Sequence, residues 1–168
     1  FVHFGVILLL VGQLATDLLS VESTMHIRAG GSKNYSEMDR YYELVVTEML
    51  PGDKQRVTAM PESLLQNGRE FRSPSLPFAV RVNKFYPNSR VGRREGEGTL
   101  PAADNGFGPQ VVVQQVPLET QMDRRDMPSA VVEVLGEKGT LGTWLASMWI
   151  EQPQHVHHEG RDFTMNLR

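Results

Sequence analysis

A chain of 168 residues can bury a sizeable core, and its 40% hydrophobic and 22% charged content belongs to a folded protein, not a disordered one. Seventeen Lys and Arg against twenty Asp and Glu give a net charge of −3, and no basic stripe with interleaved aromatics occurs, so no nucleic-acid partner is expected. With no cysteine, disulfide staples, thiol redox chemistry and thiolate metal sites are excluded from this segment, although its compartment is not thereby fixed.

The chain opens at Phe1 directly in an apolar run, FVHFGVILLLVG, followed by the more polar QLATDLLSVES. No basic flank precedes the run and no convincing small-residue cleavage site follows it, which argues against a secretory signal. Residues 1–21 are close to the ~20 that span a bilayer core, and are read as a transmembrane helix, in part or at its end. At about 100° per residue, His3, Gln13, Thr16, Asp17 and Ser20 gather on one face, with Gly5 and Gly12 off it where a neighbouring helix could approach. Ionisable residues within a membrane span ordinarily face a bundle interior, so this helix is expected to be more than an anchor. The competing reading is a buried amphipathic helix of a soluble domain.

From residue 22 to 168 the texture is that of a β-rich domain, made of short alternating runs broken by turn residues. TMHIRAG (Thr24–Gly30) alternates and stops at Gly30-Gly31. YYELVVTE (Tyr41–Glu48) puts Tyr42, Leu44 and Val46 on one face, with Pro51-Gly52 as the stop. PESLLQNG (Pro61–Gly68) has Pro at its start and Gly at its end, as a short helix would. PFAVRVNKF turns Phe78, Val80 and Val82 inward. Residues 88–108 read as a long Gly-rich, charged loop, and PQVVVQQVP and SAVVEVL as strands separated by a polar stretch containing Asp123-Arg124-Arg125-Asp126. A turn at Gly136–Gly139 makes a hairpin of SAVVEVL and TLGTWLASMWI, and a last strand pair surrounds Glu159-Gly160. Seven or eight short strands with almost no helix predict an antiparallel β-sandwich or open barrel. The opening at Phe1 and the stop at Arg168 straight after a strand suggest a piece of a longer protein.

Few residues invite chemistry. His155 and His157 would point the same way on a strand, as a metal-binding His-x-His pair does, with His158 beside them, but the sequence offers no third ligand. No G-x-S-x-G elbow, Walker loop or H-E-x-x-H is present, and Gly92–Gly98 lacks the spacing of a dinucleotide loop. Asn34-Tyr35-Ser36 matches a glycosylation sequon, a frequent chance match. Trp144 and Trp149 are expected in the core or at its rim. No catalytic constellation emerges. His3 stands apart, since a histidine near the end of a membrane helix can serve as a haem axial ligand, a proton relay or a headgroup contact.

The order of the segments carries a resemblance. An apolar helix beginning with His and Phe is followed by MHIRAGGSKNYSE, LPFAVRVNKFYPNS, NGFGPQVVVQQVP, MPSAVVEVL, GTLGTWLASMWI and HEGRDFTMNLR. In this order, through nearly the whole chain, it resembles the ResB-like family of cytochrome c biogenesis proteins, the haem-handling membrane subunits of system II. The resemblance implies a subunit of the cytoplasmic (inner) membrane, with its main domain on the extracytoplasmic side. It implies a CcsA-type tryptophan-rich membrane partner, and assistance in delivering haem to apocytochrome c and attaching it there. The subunit itself is then a non-catalytic part of a cytochrome c synthase complex. His3 matches the histidine of that family that would ligate haem within the membrane. The chain departs from the family where His155, Val156, His157 and His158 stand in place of aromatic residues before the last Gly turn. The alternative is a membrane-anchored β-sandwich that binds an envelope protein or a glycan and meets no haem.

Overall fold

Alternation of β-branched and aliphatic residues makes the chain from residue 43 onward a set of strands, and the computed structural model shows how they pair. It describes residues 2–20, 25, 27, 29–32, 41–52, 54–95, 99–120 and 124–168. Two units separate, residues 1–40 and Tyr41–Arg168.

The first unit contains helix α1, Val2–Leu19, whose 18 residues rise about 27 Å. It is long and apolar enough to cross a membrane, and none of its residues is buried within the protein. Its polar side chains are partly answered within the helix. Gln13 Nε2 donates to Asp17 Oδ1 at 3.0 Å, and Thr16 Oγ1 donates back to the Gly12 carbonyl at 3.0 Å. Such internal bonds lower the cost of polar groups in an apolar surrounding. The strand expected over Thr24–Gly30 lies partly outside the described residues, and of those described, Met25 and Ile27 are in no strand while Ala29 and Gly30 form a turn.

The second unit is a β-sandwich. One sheet has the order β2-β1-β10-β9, formed by β1 (Glu43–Leu50), β2 (Lys54–Pro61), β9 (Gln154–His158) and β10 (Arg161–Leu167). The other has the order β3-β4-β7-β8, formed by β3 (Glu70–Phe71), β4 (Ala79–Tyr86), β7 (Ser129–Gly136) and β8 (Gly139–Ser147). A two-stranded ribbon joins β5 (Ser89–Arg93) to β6 (Val111–Gln115), and the strand pairs among the described residues are antiparallel. The core lies between the two large sheets. Leu44, Val46, Met60, Val156, Phe163, Met165 and Leu167 from the first meet Phe78, Val80, Val82, Val132, Val134 and Trp144 from the second. The fold is thus mainly β, as the patterning predicts.

Several details differ from expectation. Ten strands occur among the described residues instead of seven or eight. Residues 88–108 are not wholly a loop, because Ser89–Arg93 pairs with Val111–Gln115. Arg and Gly in SRVGR hide the strand from a hydrophobic pattern, and the pairing supplies what the pattern lacks. Pro61–Gly68 holds only a single 3-10 turn, Glu62–Leu64, with Leu65 buried beyond it and Gly68 at φ +78°. The closing hairpin turns at Glu159 and Gly160, both at positive φ (52° and 72°), the conformation that suits the twist of a two-residue hairpin. Trp144 is buried, while Trp149 is 50% exposed past the end of β8.

One glycine holds two elements together. Gly106 has φ +60°, and a Cβ there would run into the Gln154 carboxamide oxygen, which accepts the Phe107 N–H at 3.1 Å. Gly106→Ala is therefore expected to lower the unfolding free energy by about 1–3 kcal/mol through strain and the lost bond. Chemical denaturation would measure it, and an unchanged midpoint would show that Gln154 moves aside freely.

Candidate functional site

Two polar clusters lie at opposite ends of the sandwich. At the end bearing the β1–β2 and β9–β10 turns, the inward parity of β1 runs Leu44, Val46, Glu48, placing a carboxylate where alternation calls for a core residue. The register sets Arg56 opposite it on β2 and Phe163 opposite it on β10. Glu48 is only 4% exposed and is met by two guanidinium groups. Arg161 Nε and Nη2 both reach Oε1 at 2.7 Å, and Arg56 Nη1 donates to Oε2 at 3.1 Å. Beneath them, the Arg161 guanidinium carbon stands 5.1 Å from the centre of the Phe163 ring, which meets Phe78 edge-on at 4.9 Å. His158 points inward on the neighbouring strand and meets Phe78 edge-on at 6.0 Å.

Two cations on one carboxylate leave this trio with a net charge of +1 at a partly exposed rim. Both carboxylate oxygens are engaged by guanidinium groups, which suits a clamp across β2, β1 and β10.

At the opposite end a chain of hydroxyls ties three strands. Ser89 Oγ donates to the Met127 carbonyl at 2.7 Å, and Ser129 Oγ lies 2.7 Å from both Ser89 Oγ and Ser147 Oγ. Trp149 closes this end, its indole N–H donating to the Ser89 carbonyl at 2.8 Å. Among the described residues no histidine or carboxylate bonds to these serines, so none has the base an activated nucleophile needs.

His155 and His157 do share one face of β9, both exposed, but His157 Nδ1 sits 2.7 Å from Asp162 Oδ1 and His158 points to the other face. Among the described residues no three His, Cys, Asp or Glu gather in a metal-holding arrangement. On the outer face of the second sheet, Glu70 is bound by Arg81 and Arg72, and the Arg81 hydrogen bond chiefly holds its carboxyl below the usual range. This is a solvated ion network. The sequon at Asn34 lies outside the described residues, as does part of the polar stretch at Asp123.

His3 lies in the first turn of α1, exposed, with no hydrogen bond to another described residue. Sequence reasoning passed over Glu48, Arg56 and Arg161. The available signal was a Glu continuing the inward parity of Tyr42, Leu44 and Val46, which demands a buried cationic partner.

Comparison of the chain with protein-family models, with curated proteins and with solved structures finds no match.

Proposed function

We propose that this chain is a membrane subunit of cytochrome c biogenesis, assisting haem delivery and attachment to apocytochrome c outside the cytoplasmic membrane. The reading rests on the order of the segments that resemble the ResB-like family. The observation that carries it furthest is the placement of His3. Its imidazole is exposed in the first turn of a helix apolar and long enough to cross a membrane. A neutral imidazole nitrogen is an effective axial ligand for haem iron, and His3 has both ring nitrogens unengaged among the described residues. The residues fit one axial position and no more, so a second ligand would come from a partner, here a CcsA-type tryptophan-rich subunit. With Ser20 at the outer surface, the 1.5 Å rise per residue puts His3 about 25 Å deeper, towards the cytoplasmic side.

Haem supplies the iron chemistry. The helix holds and orients the imidazole, and the β-sandwich, in which no nucleophile is bonded to a base among the described residues, provides an extracytoplasmic docking surface. A clamp such as Glu48–Arg161 keeps such a surface rigid.

The test is to purify the chain with its tryptophan-rich membrane partner and record haem content and visible spectrum for the wild type and His3→Ala. The expected result is loss of haem or a shift of its spectrum in the variant. Equal content and an unchanged spectrum would remove His3 as ligand. Absence of haem from the wild-type complex would favour the anchored binding module for an envelope protein or glycan instead.

A further inference from the structure

Four strand edges bound the two large sheets, and at three of them specific bonds engage one or more positions. The β4 edge beyond the two-residue β3 is taken by residues 67–69, with Gly68 N–H donating to the Val82 carbonyl, Val82 N–H to the Arg69 carbonyl, and Phe85 N–H to Asn67 Oδ1. The β8 edge receives the Asn105 N–H at the Thr143 carbonyl and the Asp104 N–H at Thr143 Oγ1. At the β9 edge the Trp144 indole N–H donates to the His155 carbonyl. The fourth edge belongs to β2, eight residues long, and among the described residues nothing pairs with it.

The register decides which groups are free there. Glu62 N–H donates to the Tyr42 carbonyl, so Lys54, Arg56, Thr58 and Met60 exchange bonds with β1 at every second position. Gln55, Val57 and Ala59 therefore turn their N–H and C=O groups outward, and all three residues are exposed, Val57 at 50%. Water satisfies these groups in the free chain, and another strand would satisfy them equally well.

We infer that the bare edge of β2 receives an extended segment of a separate polypeptide, added antiparallel as a fifth strand, with acidic side chains at its C-terminal end beside Lys54. Charge selects this occupant. From Lys54 to Pro61 the strand carries Lys54 and Arg56 and no acidic residue. Arg161 offsets the Glu48 carboxylate that Arg56 meets, so the Arg56–Glu48–Arg161 trio as a whole is +1 and Lys54 adds one charge more. A second copy paired about Val57 would set Lys54 and Arg56 opposite Met60 and Thr58 and bring no acidic side chain to either. An acidic segment meets opposite charge while using the same backbone groups, which is how strand addition recognises extended peptides. The inference stands apart from haem handling and holds whichever reading of His3 is right.

The experiment uses the full chain in lipid nanodiscs with two synthetic ten-residue probes. Both alternate Val and Thr, one ending in two Glu at its C-terminus and the other in two Lys. The Glu probe is expected to bind better than the Lys probe, and to slow hydrogen exchange at the amides of Gln55, Val57 and Ala59. Val57→Pro deletes an outward N–H without touching the bonds to β1, and should weaken Glu-probe binding about tenfold. Should that variant misfold, Lys54→Glu, with the backbone intact, is expected to reverse the preference between probes. Failure of the Glu probe to bind, or equal binding by folded Val57→Pro, would overturn the inference. So would self-association of the chain that Val57→Pro abolishes, since the occupant would then be a second copy.

Discussion

Phe163→Ala is expected to lower the unfolding free energy by about 3–5 kcal/mol, the range for truncating a fully buried aromatic. Phe163 has no exposed surface and sits in β10, which joins β1 to β9 in the middle of the first sheet. Its ring is touched from both sides, edge-on by Phe78 of the other sheet and face-on by the Arg161 guanidinium. Truncation leaves a cavity between two sheets whose strand ladders resist collapse, so little of the loss is recovered by relaxation. Denaturant unfolding followed by far-UV circular dichroism would measure it. A cost under about 1.5 kcal/mol would mean that the core between the sheets is fluid enough to close the gap.

Arg161→Leu ranks second, with an expected cost of about 2 kcal/mol. The substitution strips two short charged hydrogen bonds from Glu48, whose side chain is 6% exposed, and leaves only the Arg56 contact at 3.1 Å. Removing one partner of a fully buried pair costs more than this. Arg161 is 37% exposed, however, and Arg56 still shields part of the carboxylate charge, so the figure is scaled down. The sharper measurement is a double-mutant cycle with Glu48→Leu. Once the carboxylate is gone, Leu at 161 leaves no buried charge unpaired, and the double variant should be less destabilised than the sum of the two singles. Additive losses would show that the carboxylate finds water, and that the trio does not clamp the sheet.

The strands were legible where one face is apolar over several residues. Leu44 with Val46, Val80 with Val82, and Val132 with Val134 alternate cleanly and do face the core. Hairpins were legible where glycine permits the turn, as at Glu159-Gly160. β5 was not, because Arg90, Gly92 and Arg93 carry no apolar signal and the strand exists through its partner Val111–Gln115. The 3-10 turn at Glu62–Leu64 looked like a helix because proline and glycine bracket both equally well.

The site followed the same division. That His155 and His157 would share a face follows from the two-residue repeat of any strand, and that His158 would oppose them follows too. The convergence of Glu48, Arg56 and Arg161 depends on β10 lying beside β1, a pairing between segments more than a hundred residues apart in sequence.

By itself, then, the sequence determined that a helix apolar enough to cross a membrane precedes an antiparallel β domain, because hydrophobic length and two-residue alternation are local properties. Only the tertiary structure decided the sheet order β2-β1-β10-β9, the carboxylate held between two arginines, and a β2 edge that no described strand pairs with. Each of these depends on which distant strands exchange backbone hydrogen bonds, and every strand carries the same backbone donors and acceptors, so no local pattern encodes the choice.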